Sequence, residues 1–150
     1  MRSRFDEQLA LLNKEMIEMG ALCEEVIALA SKALTEADPE LAQRVAPLDA
    51  EIDQKERNIE SLCLKLLLQQ QPVARDLRQI SAALKMITDL ERIADQASDI
   101  AEISLHFPDE SFIKEPEHIE LMSKYAVSMV KDGVQSYINR DVKAASELDK

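Results

Sequence analysis

Apolar residues recur at steps of three and four along most of the chain, the spacing that lines one face of an α-helix. Phe5, Leu9, Leu12, Met16, Met19, Leu22 with Cys23, Val26, Leu29 with Ala30, Ala33 and Ala37 form the first such stripe. It predicts a bundle helix of roughly thirty residues. The stripe stops at Ala-Asp-Pro, where Asp38 is placed to cap the next helix and Pro39 to occupy its first position. A second helix is expected from about residue 39 to residue 70, with Val45, Leu48, Ile52, Ile59, Leu62, Leu66 and Leu67 inward. Pro47 lies within it and removes a backbone donor, so a bend or a late start is expected there.

Pro72 ends that helix by restricting the residue before it. A third helix follows from about Val73 to Leu105, with Leu77, Ile80, Ala83, Leu84, Ile87, Leu90, Ala94, Ala97 and Ala101 as its core line. Residues 106 to 116, with two prolines, read as a connector. A fourth helix is predicted from about Glu117 to Asn139, its inner face made of Leu121, Met122, Tyr125, Met129, Gly133, Val134 and Tyr137 or Ile138.

The first and fourth helices resemble each other. Shifted by 103 positions, Met19 lies on Met122, Leu22 on Tyr125, Val26 on Met129 and Asp38 on Asp141. The repeat predicts that Asp141 caps a fifth helix as Asp38 caps the second. The expected organisation is therefore all-α: an antiparallel three-helix repeat over residues 1–105, a connector over 106–116, and a second, truncated repeat over 117–150. The core faces of the helices in that second repeat would need a further helix or a second copy to cover them.

Composition agrees with an all-helical domain. The chain has 150 residues, 46% of them hydrophobic, with only 2 glycines and 3% aromatics. A formal net charge of −11 argues against a nucleic-acid or anionic-lipid partner. No apolar run reaches the ~20 residues of a membrane span, and the N-terminus lacks the apolar run of a signal peptide. Cys23 and Cys63, in apolar stripes and without metal-ligand spacing, read as reduced core residues of a cytoplasmic protein.

Two acidic lines change the picture. Glu91, Asp95, Asp99 and Glu102 fall within about 80° at roughly 100° of turn per residue. On the second helix, Asp49, Asp53, Glu56 and Glu60 fall within about 60°. Each line borders its helix's apolar face, so packing would bring the two together. Carboxylates gathered in this way raise one another's pKa unless a cation neutralises them, and oxygen-only sets suit hard ions. The alternative is a pair of solvated faces on an acidic protein, relieved by Arg57 and Arg92.

Catalysis has less support. The Glu-x-x-His pairs of a di-iron oxidase are missing, and His106 and His118 flank the connector. Neither a Gly-rich phosphate loop nor a nucleophile–base set is present. Arg75 and Arg78 read as surface ion-pairing residues.

The stretches RVAPLDAEIDQKE and QQQPVARDLRQISAALKMITDLERIADQASDIAE resemble the PhoU family of phosphate-signalling proteins. The resemblance rests above all on the acidic pairs Asp49/Asp53 and Glu91/Asp95. It implies two tandem three-helix repeats, often in a homodimer, and a non-enzymatic role. It implies metal ligation by Asp49, Asp53, Glu91 and Asp95, with Asp99 a fifth and Glu56 an outer member. The metal would be iron by family precedent, or Mg²⁺, Mn²⁺ or Zn²⁺. The implied partners are the ATPase subunit of the phosphate ABC transporter and a phosphate-sensing histidine kinase. Through them the protein would sit peripherally at the membrane and restrain the phosphate-starvation response.

Overall fold

The computed structural model describes residues 2–69, 74–106 and 116–148. All described elements are helical: α1 (Arg2–Glu36), α2 (Pro39–Gln43), α3 (Val45–Gln69), α4 (Ala74–His106) and α5 (Pro116–Leu148). The first stripe behaves as its spacing dictates, with Phe5, Leu12, Met16, Met19, Cys23, Val26 and Ala33 at 3% exposure or less.

Helix α1 ends through Ala37, which adopts a left-handed φ of 50°. The Asp38 amide then donates back to Ala33 O at 3.2 Å. Asp38 Oδ1 accepts from the Glu40 amide at 3.0 Å, and Pro39 takes the first helical position, as the Asp-Pro signal predicts. The single helix expected over 39–70 is interrupted, however. One turn of α2 closes at Arg44, and α3 begins at Val45. The late start places Pro47 in the first turn of α3, where its missing N–H leaves no hydrogen bond unmade.

Helices α1, α3 and α4 form an antiparallel three-helix bundle. Lys55 of α3 reaches both Glu15 and Glu18 of α1. Cys23 of α1 donates its thiol to Leu90 O of α4 at 3.6 Å, and Gln79 donates to Asn13 Oδ1 at 3.4 Å. Both cysteines are buried and free. Burial pushes the Cys23 thiol up to about 12 and that of Cys63 to about 11, which keeps them protonated and inert. Leu77, expected in the core, is exposed instead.

Helix α5 departs most from expectation. It runs unbroken to Leu148, so Asp141 caps no fifth helix. Asp141 is followed by Val142, which can continue a helix, whereas Asp38 is followed by proline. α5 lies antiparallel along α1, with Lys131 paired to Glu24 at 3.5 Å. Gly20 permits the close approach: a methyl there would come 2.9 Å from Val134 Cγ2. Val130, Val134 and Tyr137 are buried by this contact. Leu121, Met122, Tyr125 and Met129, expected on the inner face, are exposed. The apolar surface of α5 is wider than α1 can cover. His106 and Pro116, expected in the connector, belong to α4 and α5; the rest of that expectation, residues 107–115, lies outside the described residues.

Candidate metal centre

Helices α3 and α4 run antiparallel, and their apolar faces meet through Ile52, Leu90 and Ala94, all nearly inaccessible. Because each acidic line borders that face, the seam draws carboxylates from both helices toward one place. Asp49 and Asp53, one turn apart on α3, meet Asp95 of α4, with one carboxylate oxygen of each within 4.8 Å of the others. All three residues are half-buried.

No basic side chain relieves them. Among the described residues, no lysine or arginine pairs with Asp49, Asp53 or Asp95. Lys55 turns away to Glu15 and Glu18 of α1. Arg57 donates to Gln54 Oε1 at 3.0 Å. Asp49 Oδ1 is buried and without a hydrogen-bond partner, an uncommon situation for a charged oxygen.

The electrostatic consequence is a rise in proton affinity across the cluster. Partial burial pushes the Asp49 carboxyl up to about 6, reinforced by the charges of Asp95 and Asp53 and, least, of Asp99. Glu91 is pushed up to about 7, first by sharing a proton with Asp95 and then by burial. Glu56 is also raised, by burial first and then by Asp53, Glu60 and Asp95. The part of each shift that comes from neighbouring carboxylates is repulsion that a cation would remove.

Of the five expected ligands, the structure brings Asp49, Asp53 and Asp95 together, and Glu91 lies beside Asp95. Asp99 is exposed and stands outside the triad. Glu60 and Glu102 are solvent-facing. Glu56 lies outside the triad but within reach of the charges of Asp53 and Asp95. Sequence periodicity did not single out the Glu15–Lys55–Glu18 cluster, since a lone lysine among acids on α3 gives no hint of its partners on α1.

The donor set fits a hard cation. Opposed oxygens lie about 4.2 Å apart around octahedral Mg²⁺ and about 4.8 Å apart around Ca²⁺, so the triad could close on one ion with small side-chain movements. All donors are oxygens, which favours Mg²⁺, Mn²⁺, Ca²⁺ or iron over softer metals.

Comparison with known proteins identifies the family and the fold. A family model described as the PhoU domain matches residues 16–104. The chain is 35% identical over 142 residues to a phosphate-specific transport system accessory protein PhoU homolog of Aquifex aeolicus, covering 95% of this chain and 64% of that protein. A homolog of the same description from Clostridium acetobutylicum is 34% identical over 150 residues, covering 99% of this chain and 68% of that protein. The crystal structure of PhoU from Pseudomonas aeruginosa superposes with a TM-score of 0.84 at 32% identity, over 90% of this chain and 65% of that one. The chain spans about two thirds of the length of these relatives.

Proposed function

The chain belongs to the PhoU family, and from that premise we propose that it is a non-enzymatic accessory protein of phosphate-specific transport whose helices are stapled by a metal ion. The names of the relatives support the transport role. The observation that carries the staple is the meeting of Asp49, Asp53 and Asp95 without a counter-cation, Asp49 Oδ1 being buried and unbonded. In this reading Asp49, Asp53, Asp95 and Glu91 hold the ion, Asp99 and Glu56 lie in its outer surroundings, and iron, Mg²⁺, Mn²⁺ or Zn²⁺ supplies positive charge. The ion's contribution is electrostatic. α3 and α4, which repel along their acidic borders, become one rigid unit.

The rigid bundle then serves as an adaptor in the cytoplasm. Its outer helix faces dock on the ATPase subunit of the phosphate transporter and on a sensor histidine kinase, holding the starvation response off while phosphate is plentiful. Contact with the membrane goes through those partners; no helix among the described residues is long and apolar enough to cross a bilayer.

We read α5 as the opening of a second repeat. At the repeat-equivalent positions Met19 and Val26 are at 0% exposure, whereas Met122 and Met129 are at 64% and 73%. The face that α1 buries is the face that α5 leaves open. Two further helices, for which the relatives have the extra length, or a second copy in a homodimer, would cover it.

Elemental analysis of the purified protein beside Asp49→Asn/Asp95→Asn tests the staple. The parent should retain about one ion or more per chain and the variant should retain none. Equal metal content in the two would leave a metal-independent helical scaffold in its place.

A further inference from the structure

On the side of the α1–α5 pair away from the acidic seam, the two helices enclose a groove of about 430 Å³. Its lining is Ala28, Ser31 and Lys32 of α1 with Glu120, Ser123, Lys124 and Val127 of α5. This chain carries 29 acidic residues against 18 lysines and arginines, so two lysines with a single acid is a local reversal of sign. These lysines are also uncommitted. Lys32 and Lys124 form no ion pair among the described residues, although Lys131, about two helical turns along α5, pairs with Glu24. Among the described residues the hydroxyls of Ser31 and Ser123 make no hydrogen bond, whereas Thr35, Thr88 and Ser104 satisfy theirs on backbone carbonyls of their own helices.

Two ammonium groups and two hydroxyls, one of each from either wall, are thus free to donate into one concavity. The Glu120 carboxylate, which also forms no ion pair, is free to accept there. We propose that this groove binds hydrogen phosphate, with Lys32, Lys124, Ser31 and Ser123 as donors and Glu120 as the acceptor for its P–OH. Four donors match the acceptor oxygens of a tetrahedral dianion, and charge-assisted bonds from two lysines supply the attraction. The acceptor sets the selectivity. Hydrogen phosphate carries a proton to give to Glu120, whereas sulfate at neutral pH presents only lone pairs and would be repelled. The site would give a phosphate-transport accessory protein a direct sense of its ion, and it shares no residue with the cation centre.

The test is an amide chemical-shift titration of the 150-residue chain carrying Asp49→Asn/Asp95→Asn and stripped with a chelator, so that phosphate cannot enter on a metal. Inorganic phosphate and sulfate are titrated separately at constant ionic strength, because exposed charge pairs are screened by salt. Saturable shifts centred on Ser31, Lys32, Ser123 and Lys124 are expected with phosphate. Sulfate should bind at least about tenfold more weakly, and Glu120→Gln should bring the two anions together. Lys32→Ala/Lys124→Ala, which removes only exposed side chains, should keep its melting temperature and lose the shifts. Absence of saturation by inorganic phosphate, sulfate binding as tight as phosphate, or an unchanged titration in the lysine variant would each overturn the assignment.

Discussion

Asp49 on α3 and Asp95 on α4, 46 positions apart in sequence, face each other across the helix seam. Their carboxylates are close enough to share a proton, and no lysine or arginine among the described residues pairs with either. Burial first, and then the charge of Asp95, raises the proton affinity of Asp49, and one of its oxygens is buried without a donor. Removing one charge should therefore stabilise the metal-free protein. The Asp49 shift from 3.8 to about 6 corresponds to about 3 kcal/mol unscreened, of which burial is the largest part and Asp95 the next. For a half-buried pair open to water, about 1 kcal/mol is the expected gain for Asp95→Asn. Urea denaturation with chelator present reads it directly, and a loss of stability would speak against repulsion at the seam.

The same repulsion sets a pH dependence. Asp49 and Glu91 have folded-state values raised from 3.8 to about 6 and from 4.5 to about 7. An acid with a raised folded value binds its proton more tightly when folded, so its penalty is complete above the folded value and absent below the unfolded one. The metal-free protein should melt at higher temperature at pH 5 than at pH 7.5, the gain accumulating between about pH 7 and pH 4. Asp49→Asn/Glu91→Gln should flatten that slope in a calorimetric series.

How much of this was legible in the residues depended on whether a feature is local. Asp38-Pro39 carried its own capping chemistry, and helical periodicity placed Asp49 with Asp53 and Glu91 with Asp95. Which acids meet across the seam depends on the register of α3 against α4. Periodicity alone could not tell that Asp95 joins the triad while Asp99, one turn on, faces solvent. Tyr125 and Met129 read as core because their spacing is that of core residues; exposure was decided by what lies opposite, which no local pattern encodes. Lys32 and Lys124 gave no signal, since only the packing of α1 on α5 brings them together.

Ala37 holds a left-handed φ of 50° at the end of α1, a conformation that strains any residue with a Cβ. Ala37→Gly should stabilise the fold by about 0.5–1 kcal/mol, and Ala37→Val should destabilise it by at least as much. Paired chemical denaturation curves decide the matter, with metal binding unaffected in both.

Gly20 allows α5 to lie close on α1, and Val134 fills the space that a side chain would need. Gly20→Leu should cost roughly 1–3 kcal/mol or more through overpacking. The loss should concentrate in α5. Hydrogen exchange should quicken around Val130 and Val134 while α3 and α4 keep their protection.

The metal staple requires that a divalent ion bind α3 to α4. Thermal melts of chelator-stripped protein, with and without millimolar Mn²⁺, should show an upward shift of several degrees for the parent. Asp49→Asn/Asp95→Asn should show none, while melting at or above the stripped parent. An equal Mn²⁺ shift in both proteins, or none in the parent, would contradict the staple.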